Sequence, residues 1–285
     1  MNIVYMDNIL IATSNNVNHH CDVIHQILYW LEEHNLYLKP EKCTFEVPEV
    51  EYLGVIIGYR KIQMDPIKVQ GVIVWLAPKN LTKCQGFIGF FNFYHQFIKG
   101  FSKLVQPLHD LTKKGVPWRW MDKEQNTFNT LKAKVAEEPV LLFPQMMKPF
   151  ELEVDASAIA IGAILNQKGD DGKLHPVAYY SESFTAPKCN YNVYDRLLAI
   201  VKALQQWRTY LLGSPHPILI YTDHSNLQYW KELRKINQRV AREFQELSEY
   251  DSSARTQVTA RLFTGAQQES SASCTSSQVK YRVII

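Results

Sequence analysis

The hydrophobic pattern of this chain changes period twice, and each change marks a boundary that one regular layer of structure cannot cross. In residues 1–63 the apolar residues come in short runs. Ile3-Val4-Tyr5 and Ile9-Leu10-Ile11 flank Met6-Asp7-Asn8, which reads as a β-hairpin with polar residues near its tip. Val23, Ile24, Ile27, Leu28 and Leu31 then recur at helical spacing from His20 to His34, with Asn35 where a C-terminal cap belongs. Leu36, Leu38, Phe45 and the run from Tyr52 to Ile57, broken by Pro40, Pro48 and Gly58, predict short strands and tight turns.

At Met64-Asp65-Pro66 the pattern turns helical. Asp65 can cap, Pro66 suits a first helical position, and apolar spacing continues to Leu76. Leu81, Cys84, Phe87, Ile88, Phe91 and Ile98 form a second stripe, Phe101 to Leu111 a third helix, and Phe128, Leu131 and Val135 a fourth. Beyond Pro149 alternation returns in Phe150, Leu152 and Val154 against Glu151, Glu153 and Asp155, followed by strands at 159–165 and 176–180. A long helix striped by Leu197, Leu198, Val201, Leu204 and Leu211 ends at Gly213 and Pro215, before a strand over 218–221. After Asp251 eleven of 34 residues are Ser or Thr and no period persists, so 252–285 reads as disordered or as a frameshifted end. The fold class expected is therefore α+β and α/β in several domains, divided at 1–63, 64–145, 146–251 and 252–285.

Composition narrows the function classes. With 46% hydrophobic and 21% charged residues, the chain can bury real cores, and no window has the eighteen apolar residues that a membrane span needs. Met1 to Asn8 has no basic flank, so no signal peptide is expected and the protein is placed inside the cell, in cytoplasm or nucleus. Five separated cysteines, Cys21, Cys43, Cys84, Cys189 and Cys274, argue against a disulfide framework or zinc ribbon. His19 and His20 beside Cys21 lack a second cluster to complete a tetrahedral site.

Residues 60–138 hold 13 Lys and Arg against 6 Asp and Glu, although the whole chain carries only +3. Such a section can follow a phosphate backbone, or it can be a solvated helix face. Its aromatics, Phe87, Phe90, Phe91, Phe93, Tyr94 and Phe97, are better read as core than as a stacking surface for bases.

Carboxylates on neighbouring elements can hold two Mg²⁺ ions for phosphoryl transfer. Two places invite that reading, Asp7 in its hairpin and the pair Asp155 and Asp223 after two strands, although an Asp at a strand end is most often a turn former. Their order along the chain is more specific. Tyr5-Met6-Asp7-Asn8-Ile9-Leu10 resembles the Y-x-D-D-I-L of gypsy-type LTR retrotransposon reverse transcriptases. Leu36 to Cys43 with Glu51-Tyr52-Leu53-Gly54 resembles the strands that follow the active-site hairpin and grip the primer. Further likeness lies in Phe87 to Phe90, Tyr94 to Ile98, Pro107 to Lys114, Val154-Asp155-Ala156-Ser157 and Thr222-Asp223-His224, spanning about residues 1–251. The resemblance implies a partial reverse transcriptase palm, a helical thumb and connection, and an RNase H-like mixed sheet with flanking helices. It implies Asp7 as a palm metal ligand, Asp155 and Asp223 as RNase H metal ligands, and Tyr52, Leu53 and Gly54 as primer contacts; Lys68, in the basic section, is a further candidate nucleic-acid contact. It also implies Mg²⁺, with Mn²⁺ as the alternative. The implied partners are RNA, DNA and the RNA:DNA hybrid, along with other polyprotein segments.

The chain also departs from that pattern. Asn8 stands where the family has a second Asp, and an amide brings no negative charge to two divalent cations. The fingers and the palm strand with the family's other catalytic Asp would lie before Met1, so no complete polymerase site is expected. The family's RNase H helix reads Y-x-x-x-D-(K/R)-E-L-L-A-I, whereas Tyr191 to Ile200 has Asp195-Arg196 followed at once by Leu197. Losing one residue turns the upstream part by about 100° relative to the apolar stripe, which places Arg196 where the carboxylate belongs and leaves Asp195 as a short substitute. Residues 252–285 contain no Asp for the closing ligand. Weak metal binding and impaired catalysis are therefore expected, with a non-catalytic nucleic-acid-binding module or an inert pseudogene product as alternatives.

Overall fold

The computed structural model describes residues 2–13, 16–137, 139–156, 160–183, 194–222, 257–260 and 282–284. Two compact units divide it, Met1–Pro66 with Ala266–Ile285, and Ile67–Gly265.

In the first unit β1 (Asn2–Tyr5) and β2 (Asn8–Ala12) form the expected hairpin, closed by the pair Tyr5↔Asn8. Helix α1 (Val17–Glu33) starts three residues before His20, because the Asn16 side chain accepts from the His19 N–H at 3.2 Å. It ends where expected: Asn35 takes a left-handed conformation (φ 55°) and the Leu36 N–H returns to the Leu31 carbonyl at 2.8 Å. Ile24 of α1 packs on Ile11 of β2, with Val23, Ile27, Leu28 and Leu31 around them. Strands β3 (Thr44–Val47), β4 (Val50–Tyr52), β5 (Val55–Gly58) and β6 (Lys61–Met64) follow, the last three as an antiparallel meander.

The second unit begins with four helices, α2 (Pro66–Ile73, whose first residue lies at the unit boundary), α3 (Leu81–Phe93), α4 (Phe101–Leu111) and α5 (Asp122–Ala136). Pro66 opens α2 and Asp65 before it is buried. The aromatics are mainly core, as their spacing implied. Phe87 lies 4.6 Å from Phe91 and 4.7 Å from Phe128 between ring centres, whereas Phe93 remains 56% exposed.

After the short strand β7 (Val140–Leu142) comes a five-stranded mixed sheet built from β8 (Phe150–Ala156), β9 (Ala160–Lys168), β10 (Leu174–Ser183), β11 (Leu219–Thr222) and β12 (Gln257–Ala260). Its order is β10-β9-β8-β11-β12, antiparallel from β10 to β8 and parallel from β8 to β12. Helix α6 (Tyr194–Gln206) lays Ala199, Ile200, Ala203 and Leu204 on the face that carries Phe150, Leu152 and Val154. The helix expected to run on to Leu211 breaks at Trp207, where the buried indole meets Tyr180, and resumes as α7 (Arg208–Leu211). On α4, the Ser102 N–H donates to Ser181 Oγ at 2.8 Å and Ser102 Oγ to the Ser181 carbonyl at 2.7 Å. These bonds tie the helical section to β10, so residues expected as separate domains at 64–145 and 146–251 share one unit.

The stretch 252–285 departs from the expectation of no regular structure at two places. β12 adds to β11, and β13 (Arg282–Ile284) pairs antiparallel with β2 and β3. β12 is an edge addition to its sheet, whereas β13 inserts between β2 and β3, and in both main-chain pairing, not side-chain period, recruits the strand.

Candidate functional site

Strand β8 positions the first candidate. Because side chains alternate across a strand, Phe150, Leu152 and Val154 face the core under α6, while Glu151, Glu153 and Asp155 share the other face. Asp155 is exposed near the strand's end and sits opposite Gly162 of β9. β11 runs parallel to β8 with Thr222 beside Val154, so both strands lead toward the same sheet end. Asp223 follows Thr222 in sequence and lies outside the described residues. Asp195 falls in the first turn of α6, with its side chain and that of Arg196 outside them as well.

Sequence reasoning missed the neighbours of Asp155. A cleft of about 380 Å³ opens between the start of α4 and the sheet, lined among others by Lys99, Gly100, Glu153, Asp155, Gly162 and Tyr180. A Cβ added at Gly162 would meet only the Asp155 carbonyl oxygen, at 3.8 Å, so the cleft floor is open. Glu153 is half-buried and accepts from Asn166 Nδ2 at 3.0 Å. Burial raises its pKa, the positive charge of Lys99 works against that rise, and Glu151 adds to it. The alternation that marks Asp155 also marks Glu153. What the sequence could not supply is the crossing of Lys99 and Gly100 over that face.

Behind the core face, Lys202 of α6 pairs with both carboxylate oxygens of Glu182, to which the Tyr180 hydroxyl also donates. Burial and the adjacent carboxylate push the Tyr180 phenol well above its ordinary pKa. This side-chain triplet fastens α6 to β10 and fixes the roll of the helix over β8.

The second candidate, Asp7, is exposed in the two-residue turn Met6-Asp7, where Met6 takes φ 52°. A non-glycine residue is strained there. Asn8 donates its amide to Asp7 Oδ1 at 3.4 Å, so the neighbour that replaces a carboxylate in the resembled pattern serves as a donor to Asp7.

The expected primer contacts divide. Leu53 (φ 50°) and Gly54 (φ 79°) form the two-residue turn between β4 and β5, a geometry that matches the twist of a hairpin. Leu53 is 41% exposed. Tyr52 is only 6% exposed and its hydroxyl has no partner among the described residues. Alternation along β4 points the Tyr52 ring inward, while the turn beside it is exposed. Lys68 is exposed on α2 beside the buried Val69.

Helix α3 has a surface beyond the core stripe that its spacing predicts. Gly86 and Gly89 are exposed, and a Cβ added to either meets nothing within 4 Å. Each glycine costs a helix about 0.5–1 kcal/mol against alanine. Together with exposed Lys83 and Phe93 they mark one face on which another backbone can approach closely.

Among the described residues no group of three or more His, Cys, Asp and Glu side chains converges as a cation site. Asp155 supplies one carboxylate of the expected RNase H set, and Asp7 one of the expected palm set, each in its own unit. His20 near Cys21 is buried and shares a 2.8 Å hydrogen bond with Thr13 Oγ1. Cys189 and Cys274 lie outside the described residues.

Comparisons with known proteins agree with this layout. Residues 1–57 match the family of reverse transcriptase (RNA-dependent DNA polymerase), and residues 120–220 match the RNase H-like domain found in reverse transcriptase. Over 243 residues the chain is 36% identical to the transposon Tf2-7 and Tf2-8 polyproteins of Schizosaccharomyces pombe, covering 84% of this chain and 18% of each polyprotein. It thus spans under a fifth of the length of those relatives. Its fold resembles the foamy viral protease-reverse transcriptase solved with double-stranded DNA, at TM-score 0.73 and 20% identity over 93% of this chain and 47% of that one. The same viral protein solved with an RNA/DNA hybrid gives TM-score 0.72 and 20% identity over 96% and 38%. The chain belongs to the retrotransposon reverse transcriptase and RNase H polyprotein family, of which it is a fragment.

Proposed function

We propose that this chain binds nucleic acid, with an RNA:DNA hybrid as its main ligand, and that its own polymerase and RNase H catalysis is weak or nil. The observation that carries this reading is a carboxylate deficit around Asp155 among the described residues. A paired-metal clamp needs several converging carboxylates, and the described cleft offers Asp155 and Glu153 against the cation Lys99. Asp223 and, less favourably, Asp195 would complete part of the set, and Mg²⁺ or Mn²⁺ held by Asp155 with Asp223 would supply Lewis-acid activation of water. Asp7 beside Asn8 gives the palm even less negative charge.

Binding has better support. The basic helical section presents Lys68, Lys79 and Lys83 to solvent, and the bare glycine face of α3 admits a duplex backbone. The Leu53-Gly54 turn adds a strand contact of the kind that the resemblance implies. The exposed hairpin residues Val4, Tyr5 and Met6 leave an apolar surface for other polyprotein segments.

A labelled hybrid tests the reading. The full chain should bind it with steep salt dependence, and cleavage in Mg²⁺ should not exceed that of Asp155→Asn. Cleavage at normal turnover that Asp155→Asn abolishes would overturn the claim of impairment. Salt-insensitive binding, or none, would overturn the binding claim.

A further inference from the structure

The loop between α4 and α5 carries a feature that neither the cleft nor the glycine face uses. From Thr112 to Met121 it contains Lys113, Lys114 and Arg119, two tryptophans and no acidic residue. Trp118 stacks on Trp120 with ring centres 5.8 Å apart and planes 26° from parallel. Trp120 is held from below, donating its indole N–H to Gln125 Oε1 at 2.8 Å and meeting Phe128 of the core edge-on at 6.0 Å. A core-anchored ring thus supports a second, half-buried ring at the surface.

The charges around this stack are unevenly engaged. Lys113 pairs with Asp110 at 2.7 Å, and the nearby Glu124 accepts from the Met121 N–H at 3.0 Å. Lys114 and Arg119 are exposed and have no carboxylate partner among the described residues. Gly115 turns the chain at φ 83°, between the two lysines and Trp118. Two uncommitted cations beside an aromatic stack meet the needs of a flexible polyanion whose bases are free to stack. An apolar protein partner would gain nothing from the cations, and a paired duplex offers no free base face.

We propose that residues 112–121 form a landing site for an unpaired nucleic-acid strand, with Trp118 as the base platform and Lys114 and Arg119 as phosphate contacts. This rests on the nucleic-acid reading above but names a separate surface and a separate ligand form. The test uses the full chain with two probes, a fluorescent 20-nucleotide oligothymidylate and a blunt RNA:DNA hybrid of the same length. Trp118→Ala should weaken oligothymidylate binding roughly tenfold or more at every salt concentration, and Trp118→Phe should restore most of it. Lys114→Gln with Arg119→Gln should flatten the slope of log affinity against log salt by about 1.4 for the single strand. Neither change should move hybrid affinity by more than about twofold.

Unchanged oligothymidylate binding in both variants, or equal losses for hybrid and single strand, overturns the proposal and leaves the hybrid-binding reading standing. A wild-type chain that binds the hybrid but not the single strand does the same. Should Trp118→Ala unfold the helical section, the charge variant decides alone, since both its side chains are exposed. A wild-type chain that binds neither probe removes this proposal and the functional reading together.

Discussion

Gln167 is the side chain whose loss the fold of the second unit should register most clearly. It lies near the end of β9, fully buried, and its amide is spent on the loop that leads into β8. Its oxygen accepts from the Gln145 N–H at 2.9 Å, and its Nε2 donates to the carbonyls of Gln145 at 2.8 Å and Lys148 at 3.1 Å. Gln167→Leu preserves volume and strands three main-chain groups. A stranded buried group costs about 1–3 kcal/mol, and the lower end applies because Gln145 and Lys148 are only half-buried. Three such groups give about 3 kcal/mol, and the added apolar burial returns about 1 kcal/mol. The net destabilisation is about 2 kcal/mol, or a fall of about 4–8 °C in Tm for a unit of this size. Urea unfolding of the full chain followed by circular dichroism measures it, with an unchanged m-value expected. A variant within about 0.5 kcal/mol of wild type would refute the view that this amide staples the entry to β8.

Three further outcomes rest on other contacts in the second unit. Leu131→Ala, at a fully buried position of α5, should cost about 2–5 kcal/mol in the same assay. Ser181→Ala removes the acceptor of the Ser102 N–H and should cost about 1 kcal/mol, with faster amide exchange at the start of α4 as its local signature. Glu153 supplies a pH dependence: burial raises its folded pKa, so its contribution to stability is complete below the unfolded value and is lost as pH rises through the folded one. Glu153→Gln should therefore gain stability relative to wild type as pH rises above the ordinary carboxylate range, seen as a widening Tm difference, and a pH-independent difference would contradict the assigned cause.

The sequence was most legible where one local rule decided the outcome. Helix α4 runs from Phe101 to Leu111 as its spacing predicts, because Gly100 takes φ 67° before it and an apolar stripe follows. Pro66 opens α2, and the alternation at 150–155 reads directly as a strand with a core face and a carboxylate face. Long-range packing decided the rest. Tyr52 is buried by β4 alternation next to a turn that carries Leu53 outward, and α6 breaks at Trp207, whose buried indole lies beside Tyr180. Helical period alone does not predict the break at Trp207, since Tyr180 is far away in the chain.

The candidate site divides along the same line. The placement of Asp155 and Asp7 was readable, since an acidic residue near a strand end or at a hairpin tip has a local signature. Glu153 and Lys99 become a site only when α4 crosses the sheet, and that crossing depends on Ser102 meeting Ser181 in β10. This link bears on function. A cation delivered from the helical section lies across the strand whose carboxylates would hold metal, so nucleic acid that draws Lys99 toward a phosphate would also unmask negative charge on β8. On the nucleic-acid reading proposed above, Lys99 would couple strand binding to any metal binding at this cleft. By reciprocity, whatever factor a bound strand adds to metal affinity, bound metal must add to strand affinity.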